Sequence, residues 1–249
     1  NQFPLIKKIP SRYLKDNHPV EDFRDNIFLP SKHYGQRKLL IGEMNFFNYI
    51  FANHNTNDLY LGKEKKNILV IYVGGCPGNH LDFFAATLPR NKYRFIIYDT
   101  TPLKMELKAN NFVHRKRLIK EKDISTLKED IEENDIVLLI SDIRHGNYTV
   151  ENDIQGNDDI VKQDMSLQKK IIEIIKPHYF MLKFRLPWKE KEETKYLKGK
   201  IFKQPWTGPK STETRLIGND YTKLKEYNNH HYESALFYHN AFLRIQSNY

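Results

Sequence analysis

Residues 68–73, Ile-Leu-Val-Ile-Tyr-Val, form an unbroken apolar run that stops at Gly74-Gly75-Cys76-Pro77-Gly78. A run this short, rich in β-branched residues and with no polar interruption, reads as a strand buried on both faces. The glycines permit a tight turn with positive φ and let a ligand approach bare backbone. A helix-like segment, 79–88, follows. A second apolar run, 95–98, ends at Asp99, at the spacing of about 20 residues where a carboxylate grips the two hydroxyls of a ribose. Strand, glycine loop, helix and acidic strand end together imply a nucleoside-bearing cofactor. The loop is neither GxGxxG nor GxxxxGK[ST], and Pro77 removes a donor that a pyrophosphate would use. Dinucleotide and nucleoside-triphosphate readings are therefore disfavoured. The bland alternative is a plain strand-to-helix turn, for which these residues are also adequate.

The pattern continues along the chain. Helical spacing of Leu39, Leu40, Phe47, Ile50 and Phe51 predicts a helix over 36–52 that carries Lys38 and Glu43. Strands are predicted at 67–73, 94–98, 135–141, 178–184, 198–203 and 213–218. Helices are predicted at 79–88, 102–109, 123–132, 159–176 and 230–246. Such repetition implies an α/β chain with a mainly parallel sheet covered on both faces. Ligands of such sheets bind beyond the carboxyl ends of the strands. Residues 1–34, with Pro4, Pro10, Pro19 and Pro30, read as an irregular N-terminal arm. No repeat or second domain is visible, so 1–249 is expected to be one domain.

Charge narrows the partners. Lys and Arg number 40 against 31 Asp and Glu, a formal net charge of +9. That balance favours a polyanion, with nucleic acid ahead of a membrane surface. No segment approaches the ~20 continuous apolar residues that span a bilayer, and no signal peptide is visible. The chain opens on Asn1 rather than Met, which leaves room for an upstream segment. Cys76 is the single cysteine, so no intramolecular disulfide forms and a reducing, intracellular setting is expected. The histidines show no metal-ligand spacing, and no metal is expected.

Three charged residues close apolar strands: Asp99, Asp142 and Lys183. They are expected to gather on one sheet edge beside the glycine loop. A strand-end Asp is often only a helix cap. Lys183 is harder to dismiss, because it interrupts Tyr179-Phe180-Met181-Leu182 and Phe184, and a buried lysine is costly unless paired. The alternative is a lysine that snorkels to solvent.

Lys38 in QRKLLIGE, Asp142 in LLISDIR, Lys183 in FMLKFRLPW and Glu213 in STETRLIG stand in the order Lys–Asp–Lys–Glu. This resembles the tetrad of RNA 2′-O-methyltransferases. The flanking words resemble the poxvirus-type cap-specific mRNA 2′-O-methyltransferases, which also serve as the small processivity subunit of a poly(A) polymerase. The likeness runs from about residue 34 to 246.

The resemblance implies a Rossmann-like S-adenosylmethionine-dependent methyltransferase fold. It further implies methyl transfer from S-adenosylmethionine to the 2′-hydroxyl of the first transcribed nucleotide, and a viral, cytoplasmic setting. The alternative is an RNA-binding processivity subunit of a polymerase. Lys38, Asp142, Lys183 and Glu213 would be catalytic, with Lys183 accepting or steering the proton. The cofactor would be held by Gln36, Tyr72, Gly74, Gly78, His80, Asp99 and Asp142, and Arg117-Leu118-Ile119 would wall the adenine. Gly75 stands where the family more often has a small polar residue. The 7-methylguanine of capped mRNA would meet Trp188, Glu190 and Glu233, with its second ring from Tyr13 or Phe23. Apart from the resemblance, the basic residues Arg115, Lys116, Arg117, Arg144 and Arg185 are expected to line the path of RNA phosphates, Arg144 and Arg185 being nearer the tetrad in sequence and a solvated basic face being the alternative for 115–117. The poly(A) polymerase catalytic subunit is the implied protein partner.

Overall fold

The apolar run before the glycine loop lies inside an eight-stranded sheet in the computed structural model, which describes residues 12–24, 35–53, 67–133, 135–143, 145, 154–188 and 193–244. In chain order the elements are β1 (Tyr13–Leu14), α1 (Gly35–Asn53), β2 (Ile68–Val73), α2 (Leu81–Thr87), β3 (Tyr93–Tyr98) and β4 (Phe112–Arg115). A 3-10 helix (Glu121–Asp130), β5 (Ile136–Ser141), α3 (Ile154–Ile175) and β6 (Tyr179–Phe184) follow. Then come β7 (Glu193–Leu197), β8 (Lys200–Lys203), β9 (Thr214–Gly218), β10 (Leu224–Asn228), α4 (Asn229–Tyr238) and a wider π-helical turn (His239–Leu243). The sheet order is β1-β8-β9-β6-β5-β2-β3-β4. The five strands from β4 to β6 are parallel, and β9, β8 and β1 join antiparallel to their neighbours. The chain runs outward through β3 and β4, then crosses back to β5. That reversal between β2 and β5 is where such sheets open a crevice.

The continuous apolar runs serve two cores, because successive strand side chains point to opposite faces. Leu69, Ile71 and Val73 join Tyr98, Leu139 and Leu182 against Met165, Ile171 and Ile172 of α3. Val70 and Tyr72 join Ile97, Ile140 and Met181 against Phe46, Phe47 and Ile50 of α1. Each fully buried apolar side chain of this size contributes about 1.5–3 kcal/mol. The faces are thereby fixed, since slipping a strand by one residue would exchange its two cores.

Register then places the charged strand ends. Val73 stands opposite Tyr98 on one side and Ser141 on the other. Gly74, Asp99 and Asp142 therefore leave the sheet at one edge. Ser141 pairs with Leu182, and Lys183 pairs with Arg215. Asp142, Lys183 and Arg215 thus form a row across β5, β6 and β9.

Several local expectations are corrected. Residues 102–109 are not helical. Their backbone N–H groups are taken elsewhere: Lys104 donates to Pro77 O, while Glu106 and Leu107 donate to the Asp82 carboxylate. The helix expected at 123–132 is the tighter 3-10 form. The strand expected at 198–203 starts at Lys200, and β7 before it pairs with β10 in a separate two-stranded sheet. β4 and β10 were not expected, because HisArg and LysGlu pairs dilute their apolar pattern. The arm is not wholly irregular, since Tyr13 and Leu14 add an edge strand by pairing with Phe202 and Ile201. Among the described residues no helix is long and apolar enough to cross a membrane.

Gly74 has φ of +85°, and a Cβ there would lie 2.8 Å from the carbonyl oxygen of Asp142. Gly74→Ala is expected to destabilise the fold by about 1–3 kcal/mol through backbone strain and this collision. A denaturant titration would show it as a lower midpoint, and an unchanged midpoint would refute the account.

Candidate active site

A cavity of about 410 Å³ opens at the carboxyl edge of β2, β3 and β5. Gly74 and Cys76 of the glycine loop line it, together with Asp99, Gln36 and the segment Arg117-Leu118-Ile119. Asp99 is held in place by two backbone donors, Cys76 N at 3.0 Å on Oδ2 and Thr101 N at 2.8 Å on Oδ1. Each carboxylate oxygen keeps a second lone pair for a ligand hydroxyl. Burial, with the nearby Asp99 charge, pushes the Cys76 thiol up to about 12, so it is not a thiolate nucleophile.

The cavity ends in an ion cluster. Lys38 Nζ lies 2.9 Å from Glu213 Oε1, and Lys183 Nζ lies 3.1 Å from Asp142 Oδ1 and 3.4 Å from Glu213 Oε2. The four residues named from the sequence thus meet, brought from α1, β5, β6 and the start of β9. A fifth member was missed. The guanidinium of Arg215, fully buried, bridges Asp142 at 2.7 Å and Glu213 at 3.1 Å. The signal was present: Arg215 interrupts an apolar strand just as Lys183 does. Gln204 also donates to Glu213, at 3.0 Å. Burial lowers the guanidinium's affinity for its proton, but Asp142 and Glu213 outweigh that and raise it.

Three residues expected at the cofactor do not line this cavity. Tyr72 is buried, and its hydroxyl donates to Glu43 Oε1 at 2.6 Å. His80 joins the same Glu43 oxygen at 2.8 Å through Nε2, and Gln36 Oε1 at 2.8 Å through Nδ1. Burial pushes the Tyr72 hydroxyl well up, and the neighbouring Glu43 charge adds to it. Gly78 has φ of +76° and packs against Leu103, where a Cβ would come within 2.5 Å of that side chain. These residues support the loop from beneath, and of the buried network only Gln36 reaches the cavity wall. Glu43 was legible as an oddity, since it falls on the same helical stripe as Leu39, Phe46 and Ile50, all buried.

A second cavity, about 240 Å³, shares Ile143, Lys183 and Glu213 with the first. Trp188, Arg185 and Thr212 line it. The indole N–H donates to Thr212 Oγ1 at 2.9 Å, and the Arg185 guanidinium carbon sits 4.0 Å from the ring centroid. Asp158, also unforeseen, fastens this corner by accepting from Arg185 at 2.9 Å and from the Trp188 backbone N–H at 2.8 Å. Glu233 stands on α4 and borders neither cavity. Burial raises its carboxyl, against the lowering effects of His230 and Arg185.

Of the two rings proposed for the arm, Tyr13 is spent at the sheet edge, against Phe202 and accepting from Asn45. Phe23 is exposed and lies 5.2 Å from Phe237 on α4, beside a backbone bond from Glu21 to Ser234. Arg144 and Glu190 lie outside the described residues. Arg115 is tied to Asp130 at 3.0 Å, away from the ion cluster. No group of three or more metal-ligating side chains occurs among the described residues.

A family model described as "Poly A polymerase regulatory subunit" matches residues 7–249. The "Cap-specific mRNA (nucleoside-2'-O-)-methyltransferase" of fowlpox virus (strain NVSL) is 28% identical over 190 residues, covering 74% of this chain and 57% of the relative. The chain thus spans little more than half of that relative's length. Among solved structures, bluetongue virus VP4, described as a multifunctional RNA-capping production-line, superposes with a TM-score of 0.52 at 13% identity. That match covers 90% of this chain and 37% of VP4, and it is a likeness of fold. With the observed strand order it bears out the expected Rossmann-like fold.

Glu213 sets the sign of the acid response. Burial would raise its carboxyl, but Lys183, Arg215 and Lys38 together hold it well below its ordinary value of 4.5. A depressed folded-state pKa contributes stability that is complete above the unfolded value and lost as pH falls toward the folded one. Stability is therefore expected to decline below about pH 4.5, and Glu213→Gln to flatten that slope. Denaturant titrations across the acid range test this, and equal slopes in the two proteins would refute it.

Proposed function

This chain belongs to the poly(A) polymerase regulatory subunit family, and on that premise we propose that it is a cap-dependent mRNA 2′-O-methyltransferase. It would move a methyl from S-adenosylmethionine to the ribose 2′-hydroxyl of the first transcribed nucleotide. The observation that carries this reading is the cluster of Lys38, Asp142, Lys183, Glu213 and Arg215, with Lys183 and Glu213 on the wall shared by two cavities. One cavity suits a nucleoside-bearing donor and the other an acceptor.

The larger cavity fits the cofactor by its donor set. Asp99 keeps lone pairs for ribose hydroxyls, Gly74 presents backbone without a side chain, and Leu118 and Ile119 offer an apolar wall. S-adenosylmethionine, when bound, supplies a methyl already activated on a sulfonium. The chain's own task is to hold the acceptor in line and manage one proton. Lys183 would take or steer the 2′-hydroxyl proton, for which it must be neutral. The five cluster groups, all ionised, carry three positive charges against two negative. Arginine does not give up its proton, so deprotonating Lys183 would leave the cluster neutral. Asp142 and Glu213 work against that loss, and Lys38 and Arg215 work for it.

For the cap, Trp188 would stack on the methylated base, whose positive charge favours π faces and acidic acceptors. Glu190 and Glu233 would accept from the base edge, and Phe23 would supply the second ring. Arg185 and Arg144 would meet phosphates, giving salt-dependent affinity.

Incubation with capped RNA and labelled S-adenosylmethionine tests the reading. Lys183→Ala is expected to lower transfer by about 10²–10⁴-fold, the usual worth of a positioned acid–base group. Equal transfer by wild type and variant would remove Lys183 from the mechanism. Trp188→Ala is expected to raise KM for capped RNA by about tenfold, as loss of a desolvated stacking contact does, with little change for uncapped RNA. Loss of affinity for both alike would remove the cap-stacking role. Thermal stabilisation by a dinucleotide but not by S-adenosylmethionine would overturn the cofactor reading.

The family's description favours a second role, an RNA-binding subunit that lengthens poly(A) synthesis. The two roles are compatible. Co-purification with a polymerase and stimulation of tailing would support the second, and absence of both would remove it.

A further inference from the structure

The His145–Asp164 pair is used by nothing above. His145 Nδ1 lies 2.5 Å from Asp164 Oδ1, and the His145 backbone N–H donates to Oδ2 at 3.2 Å. Asp164 is buried on α3, where burial raises its carboxyl against the opposing pull of His145 and Lys183. The His145 side chain is 31% exposed and lines the larger cavity, whereas Asp164 lines the smaller one with Lys183. The pair therefore spans the wall that divides the two cavities. A carboxylate on Nδ1 fixes the ring's tautomer and orientation. Nδ1 is committed to Asp164, and among the described residues Nε2 carries no hydrogen bond, which leaves it as the ring's available polar atom.

A 2′-hydroxyl neighbours the 3′ phosphate on its own ribose. Lys183 borders both cavities, and His145 stands at the wall between them through its bond to Asp164, so a hydroxyl placed at Lys183 Nζ would carry that phosphate toward the ring. We infer that His145, held by Asp164, binds the phosphodiester on the 3′ side of the acceptor nucleotide and so sets the ribose against Lys183. This rests on the methyltransferase reading above. The competing account is purely structural, a tie between the segment after β5 and α3.

A cycle of enzyme and substrate changes separates the two. Two capped RNAs are compared, one with the ordinary phosphodiester after the first transcribed nucleotide and one with a neutral methylphosphonate there. Affinity is measured by fluorescence anisotropy with S-adenosylhomocysteine present, and KM and kcat by methyl transfer. His145→Asn is expected to weaken binding of the ordinary RNA by about tenfold, as loss of a charge-assisted hydrogen bond does. The same variant should then be indifferent to the methylphosphonate, whereas wild type loses a similar factor on that change. Asp164→Asn keeps the ring and should show the same pattern more weakly. Equal sensitivity of wild type and His145→Asn to the methylphosphonate would overturn the inference, whatever their stabilities. If wild type binds RNA with this pattern but transfers no methyl, the inference stands and the catalytic reading fails. If wild type neither binds nor methylates capped RNA, both fail.

Discussion

A guanidinium removed from water is the interaction on which this site depends. Arg215 is fully buried and bridges Asp142 and Glu213. An unpaired charge in such a place would be very costly, so the two carboxylates and the arginine hold one another. Replacing such a network by apolar residues is often neutral or stabilising, so it is weak grounds for stability. What it supplies is position. Arg215 bridges the two carboxylates, and both also meet Lys183. Lys38 then closes the cluster from α1.

That cluster is also what joins the two cavities. The larger cavity carries the glycine loop and Asp99, and the smaller carries Trp188, Arg185 and Asp164. Transfer between two bound molecules needs their reacting atoms to meet at one place, and Lys183 and Glu213 border both spaces. Beneath the loop lies a second polar network, Glu43 with Tyr72, His80 and Gln36. Tyr72 and His80 were expected at the cofactor from the family resemblance. The strand's alternation instead turns Tyr72 toward α1, where it serves the loop's footing.

Much of the frame was legible. β2, β3, β5, β6 and β9 are apolar runs bounded by polar or turn residues, and each was found to within about two residues, the ordinary uncertainty of an element's end. The misses share a cause. β4, β7 and β10 mix charged and apolar residues, so their strand character comes from partners rather than from pattern. Residues 102–109 had helical composition, but Asp82 and Pro77 captured their backbone donors. Within the site, Lys183 stood out because a lysine inside an apolar strand is expensive. Arg215 carried the same signal and was overlooked beside Glu213. His145, Asp158 and Asp164 gave no local sign, since a lone polar residue in a loop or on a helix is ordinary.

The amino-acid pattern was enough for the α/β class and for the sheet edge where Asp99, Asp142 and Lys183 gather, while Lys38 and Glu213 came only from the family resemblance. The class and the edge follow from local chemistry: strand and helix periods differ, glycine permits what other residues do not, and buried charge demands a reason. Who meets whom came from pairing distant strands. Ser141 beside Leu182, and Lys183 opposite Arg215, are matters of register between residues 41 and 32 positions apart, and register is set by which faces the sheet must bury. The same pairing sent Tyr72 and His80 beneath the loop, tied Tyr13 to the sheet edge and brought Asp164 to His145. Such contacts are settled when two faces pack at once, a condition no single stretch of sequence contains.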